Sequence, residues 1–206
     1  MATQTRELII NTAHDLFYKD GFRGVGLDQI LRIVGVTKTT FYNHFECKDA
    51  LVVEVLNCHD RWWRDYFSDL LRKHGGDAPR DRLLAIFDAL EEVLTSSDYN
   101  GCIFINVAVE FPSPNDPAHQ AAALHKKAME HVIRDLATYA GAADPAALAQ
   151  ELCMLMEGAY VTAHVTRDHS TCAVGRRMAH MVIDRHIPTP GTAPGATAGS
   201  AHGGPH

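Results

Sequence analysis

The chain has 206 residues, a formal net charge of −6 and 46% hydrophobic residues. That length allows one domain or two closely packed small ones, and the apolar content is ample for a core. No secretory leader or membrane-length apolar run of about 20 residues is visible, and five scattered cysteines without a CxxC pair suit free thiols in a reducing cytoplasm.

Residues 5–19 read as a first helix with Ile9, Ala13, Leu16 and Phe17 inward, ended by Asp20-Gly21. In the next segment Leu27, Ile30, Leu31 and Val34 recur at i, i+3, i+4 and i+7, which makes one helical face apolar. Gly35 falls where a left-handed cap is needed, a shape that glycine takes without strain. Val36 plugs the turn, and Thr37 suits the N-cap of a further helix over 37–45. Phe41 and Phe45, four apart, anchor that helix inward. Its outward face carries Lys38, Thr39, Thr40, Tyr42, Asn43 and His44, groups that can meet base edges and phosphates. Lys48, opening the next helix, could hold a phosphate. Two short helices, a tight turn and an exposed polar second face make a helix-turn-helix, whose second helix enters a DNA major groove. A plain helical hairpin inside a core is the alternative, and the polar 38–44 face argues against it.

On these residues segment 6–56 resembles the DNA-binding domain of the tetracycline-repressor (TetR) family. The matching positions are Ala13, Leu16-Phe17, Gly21-Phe22, Ile30, Gly35-Val36-Thr37, Phe41-Tyr42, Phe45, Lys48 and Leu51. The resemblance implies an all-helical homodimer whose small N-terminal domain binds a palindromic operator and whose larger C-terminal domain senses a ligand. Three positions depart from the pattern. Gly26 stands where a Thr or Ser caps the first motif helix, Leu31 replaces an Ala, and Cys47 replaces a Ser at the cap of the fourth helix. Residues 1–50 hold six basic and six acidic side chains, so local placement of Lys38 and Lys48, not bulk charge, must attract DNA.

A long fourth helix is expected over 48–73, with two apolar stripes: Leu51, Val55, His59, Trp62, Tyr66 and Leu70 beside Val52, Leu56, Trp63, Phe67 and Leu71. So wide a face implies burial on two sides, as in a connector between head and body. A fifth helix over 79–96 starts at Pro79 and presents Leu83, Leu84, Phe87, Leu90 and Leu94. The β-branched segment 99–111 has the local propensity of a strand, but no second strand exists to pair with it, so a buried helix is expected. PSPNDP (112–117) breaks the chain. A helix over 117–140 should bury Ala121, Leu124, Ala128, Val132, Leu136 and Tyr139. Helices over 145–166 (Leu148, Leu152, Leu155, Met156, Ala159, Ala163) and 172–186 (Val174, Met178, Met181, Val182) have smooth faces that suit a four-helix interface between two copies. The alternative is that these faces close the monomer core.

The expected architecture is therefore all-α: an N-terminal three-helix DNA-binding domain (1–50), a C-terminal helical ligand-binding and dimerisation domain (51–187), and a Pro/Gly/Ala/Ser-rich disordered tail (188–206). Candidate DNA contacts are Thr37, Lys38, Thr39, Thr40, Tyr42, Asn43, His44 and Lys48. Candidate pocket residues are Trp62, Trp63, Tyr66, Phe87, Cys102, Phe104, Asn106, Glu110, His125, Met129, Met156, Tyr160 and His164, a set that suits a flat or greasy small molecule. Asn106 and Glu110, four apart, could bond a ligand or fix neighbouring backbone. The partners expected are a palindromic DNA operator, an effector molecule and a second copy of the chain, with no membrane, cofactor or metal. His125 and His131, six apart, do not share a helix face, and His164 and His169 straddle a helix end. Enzymatic motifs GxGxxG, GxxxxGK[ST] and GxSxG are absent. The competing reading is a thiol- or ligand-sensing dimeric protein with weak or lost DNA binding, with Cys47 and Cys102 as the thiols.

Overall fold

The structure, a computed structural model, describes residues 2–188. The tail expected to be disordered lies, from residue 189 on, outside the described residues. Among the described residues ten helices follow one another and no strand occurs: α1 (Ala2–Asp20), α2 (Leu27–Val34), α3 (Lys38–Tyr42), α4 (Lys48–Gly75), α5 (Pro79–Leu84), α6 (Ile86–Leu94), α7 (Ile103–Glu110), α8 (Pro117–Tyr139), α9 (Pro145–Thr166) and α10 (Thr171–His186). The β-branched 99–111 segment is thus helical over Ile103–Glu110, shorter than expected, and buried at Ile103, Phe104 and Val107.

Apolar side chains gather in two cores. One joins Ile9, Ala13, Phe17, Phe22, Ile30, Phe41 and Phe45 to Leu51, Val52, Val55 and Leu56 of α4, then continues into Ile103, Phe104 and Val107 of α7 and Ala118, Ala121 and Ala122 of α8. Packing therefore does not break at residue 50; the head shares its core with the body. Each fully buried large apolar side chain is worth about 1.5–3 kcal/mol. A partly exposed ion pair such as Arg6–Glu54 at 3.1 Å contributes only about 0–1 kcal/mol, so apolar contact holds the head on α4. The second core gathers α4 from Trp63 onward with α5, α6 and α8–α10.

Three expectations are corrected. The single helix over 79–96 is two, because at Ala85 the backbone turns to φ −79°, ψ −2°. The kink lets α5 pack on α4 and α8 while α6 packs on α9 and α10. On α8 the buried stripe is Ala121, Ala122, His125, Met129, Ile133 and Ala137, whereas Leu124 and Tyr139 are exposed. Both faces carry helical periodicity, and the one with more small residues lies inward. On α9, Leu148, Leu152, Met156, Ala159 and Ala163 close the monomer core, so they form no open stripe. Apolar side chains that remain exposed there are Met154, Val161 and Val165, joined on α10 by Val174, Met178 and Met181.

Candidate nucleic-acid interface and ligand pocket

The motif is built as its residues dictate. Gly35 sits at φ 77° and returns its N–H to the Leu31 carbonyl, closing α2. Thr37 Oγ1 accepts from Thr40 N at 3.2 Å, the cap that starts α3. Gly26 caps α2 in extended geometry without a side-chain bond. Cys47 replaces the usual hydroxyl with sulfur, and its Sγ accepts from Ala50 N at 3.4 Å. Helix α3 is shorter than 37–45: after Tyr42 the chain tightens, with His44 N bonded to Phe41 O at 2.8 Å. Phe41 and Phe45 are buried, and Thr37, Lys38, Thr39, Tyr42 and Asn43 are exposed, with Thr40 and His44 half-buried. Lys38 Nζ pairs with Asp28 at 2.9 Å in full solvent, an attachment weak enough for a phosphate to displace.

Lys48 is a different case. Its Nζ donates to the Phe22 carbonyl at 2.6 Å and lies over the Phe17 ring. Burial lowers its pKa, against the pull of Asp49 and Glu110. The ammonium thus braces the α1–α2 loop, and a phosphate would have to draw it away. Glu110 braces the same loop from the other side. Its carboxylate, at the end of α7, accepts from Phe22 N at 3.0 Å and Arg23 N at 2.7 Å.

A cavity of about 990 Å³ lies where α1, α4 and α7–α9 meet. Of the residues expected from sequence, Trp62, Trp63, Tyr66, Cys102, Phe104, His125, Met129, Met156 and Tyr160 line it. Four do not. Phe87 is fully buried against Gly175 of α10. Asn106 donates to the Asn100 carbonyl at 3.3 Å, and Glu110 is the loop brace just described. His164 lies against Gly101 and stands edge-on to Tyr99 at 6.1 Å.

Sequence reasoning missed the contribution of the head itself. His14, Asp15 and Tyr18 of α1 line the cavity, as do His59, Tyr99, Lys126 and Glu157. His14 and Tyr18 are four apart beside the α1 core stripe, and His59 lies on the α4 stripe, so a weak signal existed. Tyr18 ties α1 to the segment before α7: its hydroxyl donates to Gly101 O at 3.0 Å and accepts from Asn100 N at 2.8 Å.

The cavity's charged groups are mostly paired. Lys126 Nζ meets Glu157 at 2.6 and 2.8 Å and Cys102 Sγ at 3.6 Å. Burial would lower the Lys126 pKa, but Cys102 and Glu157 outweigh it and raise it. His125 Nδ1 lies 2.7 Å from Asp60 Oδ1, and Arg64 holds Asp60 in turn at 2.8 Å. Burial, more than neighbouring charge, lowers the His59 pKa to about 3 and the His125 pKa to about 4. Both rings are neutral near pH 7. Among the described residues no three His, Cys, Asp or Glu gather as a metal site, and no helix is long and apolar enough to cross a membrane.

Comparison with known proteins agrees with this geometry. Residues 9–55 match the family model for bacterial regulatory proteins of the tetR family, and residues 79–179 match that for the tetracyclin repressor-like C-terminal domain. The HTH-type transcriptional repressor NemR of Escherichia coli K12 is 28% identical over 173 residues, which cover 79% of this chain and 85% of that protein. A TetR-family regulator from Streptomyces coelicolor superposes with a TM-score of 0.80 at 26% identity, over 90% of this chain and 97% of that one. A second regulator, from Streptomyces avermitilis, superposes with a TM-score of 0.77 at 28% identity, over 88% and 97%. With helix-turn-helix head and helical body both matched, the chain belongs to the tetR family of DNA-binding transcriptional regulators and is not an enzyme.

Proposed function

We propose that this regulator is a cytoplasmic homodimeric repressor that a small molecule releases from a palindromic operator. The observation that carries this reading is the composition of the cavity wall: α1 of the DNA-binding head supplies His14, Asp15 and Tyr18 to the same space as Trp63 and Met156 of the body. A molecule filling that space pushes on the head directly. Two heads can grip an operator only when α3 and its partner sit about one duplex turn, ~34 Å, apart. A small tilt of α1 then costs DNA affinity, and DNA and ligand select different head positions.

Dimerisation is supported by exposed Val161 and Val165 on α9 and Val174, Met178 and Met181 on α10. These are neighbouring faces of two packed helices, the material of a four-helix interface. Repression, rather than activation, is favoured by the relative from Escherichia coli, which is itself a repressor.

Selection of bound duplexes from random DNA, at two salt concentrations, tests the reading. It should recover a palindrome. Asn43→Ala should alter base preference at one position of each half-site, while Lys38→Ala should weaken all duplexes alike and flatten the salt dependence. Recovery of no sequence at either salt would overturn DNA recognition and leave a ligand-sensing dimer.

A further inference from the structure

Two imidazoles of the cavity wall have their protons placed by carboxylates. His125 Nδ1 lies 2.7 Å from Asp60 Oδ1. An ionised carboxylate only accepts, so the ring proton is on Nδ1, and in the neutral ring Nε2 carries a lone pair. The same logic runs through two rings at the α1–α4 contact. His14 Nδ1 lies 3.1 Å from Asp15 Oδ1, and His14 Nε2 lies 2.9 Å from His59 Nδ1. With its Nδ1 proton given to Asp15, His14 accepts at Nε2 from His59 Nδ1, which leaves His59 Nε2 as a second bare acceptor.

Neither Nε2 has a protein partner among the described residues. Nor is either one sealed: the buried, unpartnered side-chain nitrogens are Arg80 Nε, His164 Nδ1, His169 Nδ1 and Arg176 Nε. Both rings pack on Phe104, His125 in parallel at 3.6 Å between centroids and His59 edge-on at 5.6 Å. His59 also lies parallel to Trp63, at 6.5 Å. The two acceptors therefore border an aromatic wall.

Charge narrows the choice of occupant. Lys126, a half-buried cation that an anionic ligand would seek, is already held by both oxygens of Glu157, and the other lining cation, Lys127, is exposed to solvent. An anion would have to break the Lys126 pair or settle for the solvated Lys127, where a charge contact is worth little. Asp15, Asp98 and Glu130 add further acceptors around the cavity.

We propose that the cavity takes a neutral, planar, multi-ring aromatic molecule bearing phenolic hydroxyls, which donate to His125 Nε2 and His59 Nε2. The proposal deepens the ligand-release reading and names the ligand class of that same site. A volume of about 990 Å³ has room for several rings. Selectivity for hydroxyls comes from the acceptors, because an ether or hydrocarbon of the same shape leaves both lone pairs desolvated and unpaired.

Calorimetric titration of the purified protein without DNA tests it, using 2,7-dihydroxynaphthalene and its dimethyl ether. The diol should bind at least roughly tenfold more tightly, the worth of one or two hydrogen bonds. His125→Phe keeps a ring on Phe104 but removes the acceptor. It should bring the diol toward the ether's affinity and leave the ether unchanged; His59→Phe should do the same, with circular dichroism confirming both folds. Equal binding of diol and ether, tighter binding of a flat quaternary ammonium or of naphthalenedisulfonate, or binding of no probe would each overturn the proposal. Because DNA is absent, diol selectivity found in a protein that selects no operator supports this pocket and overturns only the DNA reading.

Discussion

Two side chains grip one short loop, and sequence reasoning offers that role for only one of them. From sequence, Lys48 is expected to meet phosphate, and Glu110 either to meet ligand or to fix neighbouring backbone. Both satisfy backbone at Phe22 and Arg23, because the turn that follows Gly21, at φ 81°, leaves those amides and that carbonyl without helical partners. Lys48→Met and Glu110→Ala should each cost about 1–3 kcal/mol in urea denaturation, the range around a hydrogen bond to a charged group, here at a part-buried loop. Lys48→Met should leave the salt slope of DNA binding unchanged, whereas a phosphate contact would lower it. The neutral histidines give a pH dependence with a definite sign. Unfolded, His59 and His125 take protons near pH 6.5; folded, they do so only near pH 3 and 4. Between those values the unfolded chain binds more protons, so stability is fully present above about pH 6.5 and declines as pH falls toward 4. His59→Phe should shrink that decline, read from denaturation midpoints at pH 7 and pH 5, by on the order of 1–2 kcal/mol.

Helices were legible where one face was decisive and ambiguous where two were. The α2–turn–α3 unit was readable because Gly35, Thr37, Phe41 and Phe45 each fix a different feature of it. On α8 two apolar faces competed. Depth was decided by the close packing of α9, which accepts Met129, Ile133 and Ala137 and leaves Leu124 in solvent, a pairing invisible from one helix alone. The Ala85 kink was equally hidden, since no Pro or Gly marks it. Cavity aromatics on α4 were found because their stripe is wide, while His14 and Tyr18 were missed because nothing local says that α1 reaches the body. Close packing also sets a limit at Gly175, where a Cβ would collide with the Phe87 ring. Gly175→Ala should lower stability by about 1–3 kcal/mol through overpacking, and Phe87→Leu in the same chain should recover part of it. Thermal melts of the single and double variants would show non-additivity; simple addition would mean that the two residues do not touch.

At the scale of the whole molecule, the head is an extension of the body's packing rather than a bead on a linker. Helix α7 joins the two: Cys102, Ile103 and Phe104 at its start line the cavity, and Glu110 at its end holds the α1–α2 loop. Tyr18 and Asn100 pin α1 to the segment before it. This wiring is why a cavity event is expected to be felt at α3, and why a dimer with fixed head spacing suits the arrangement. On the proposed reading, two α3 helices read one palindrome together. The most direct test is the affinity of the full chain for the selected duplex before and after about five base pairs are inserted between the half-sites. Half a turn puts the second half-site on the opposite face of the duplex, so affinity should fall to the non-specific level, while about ten inserted base pairs should restore part of it. Unchanged affinity after the half-turn insertion would contradict a rigid dimer reading two half-sites at once.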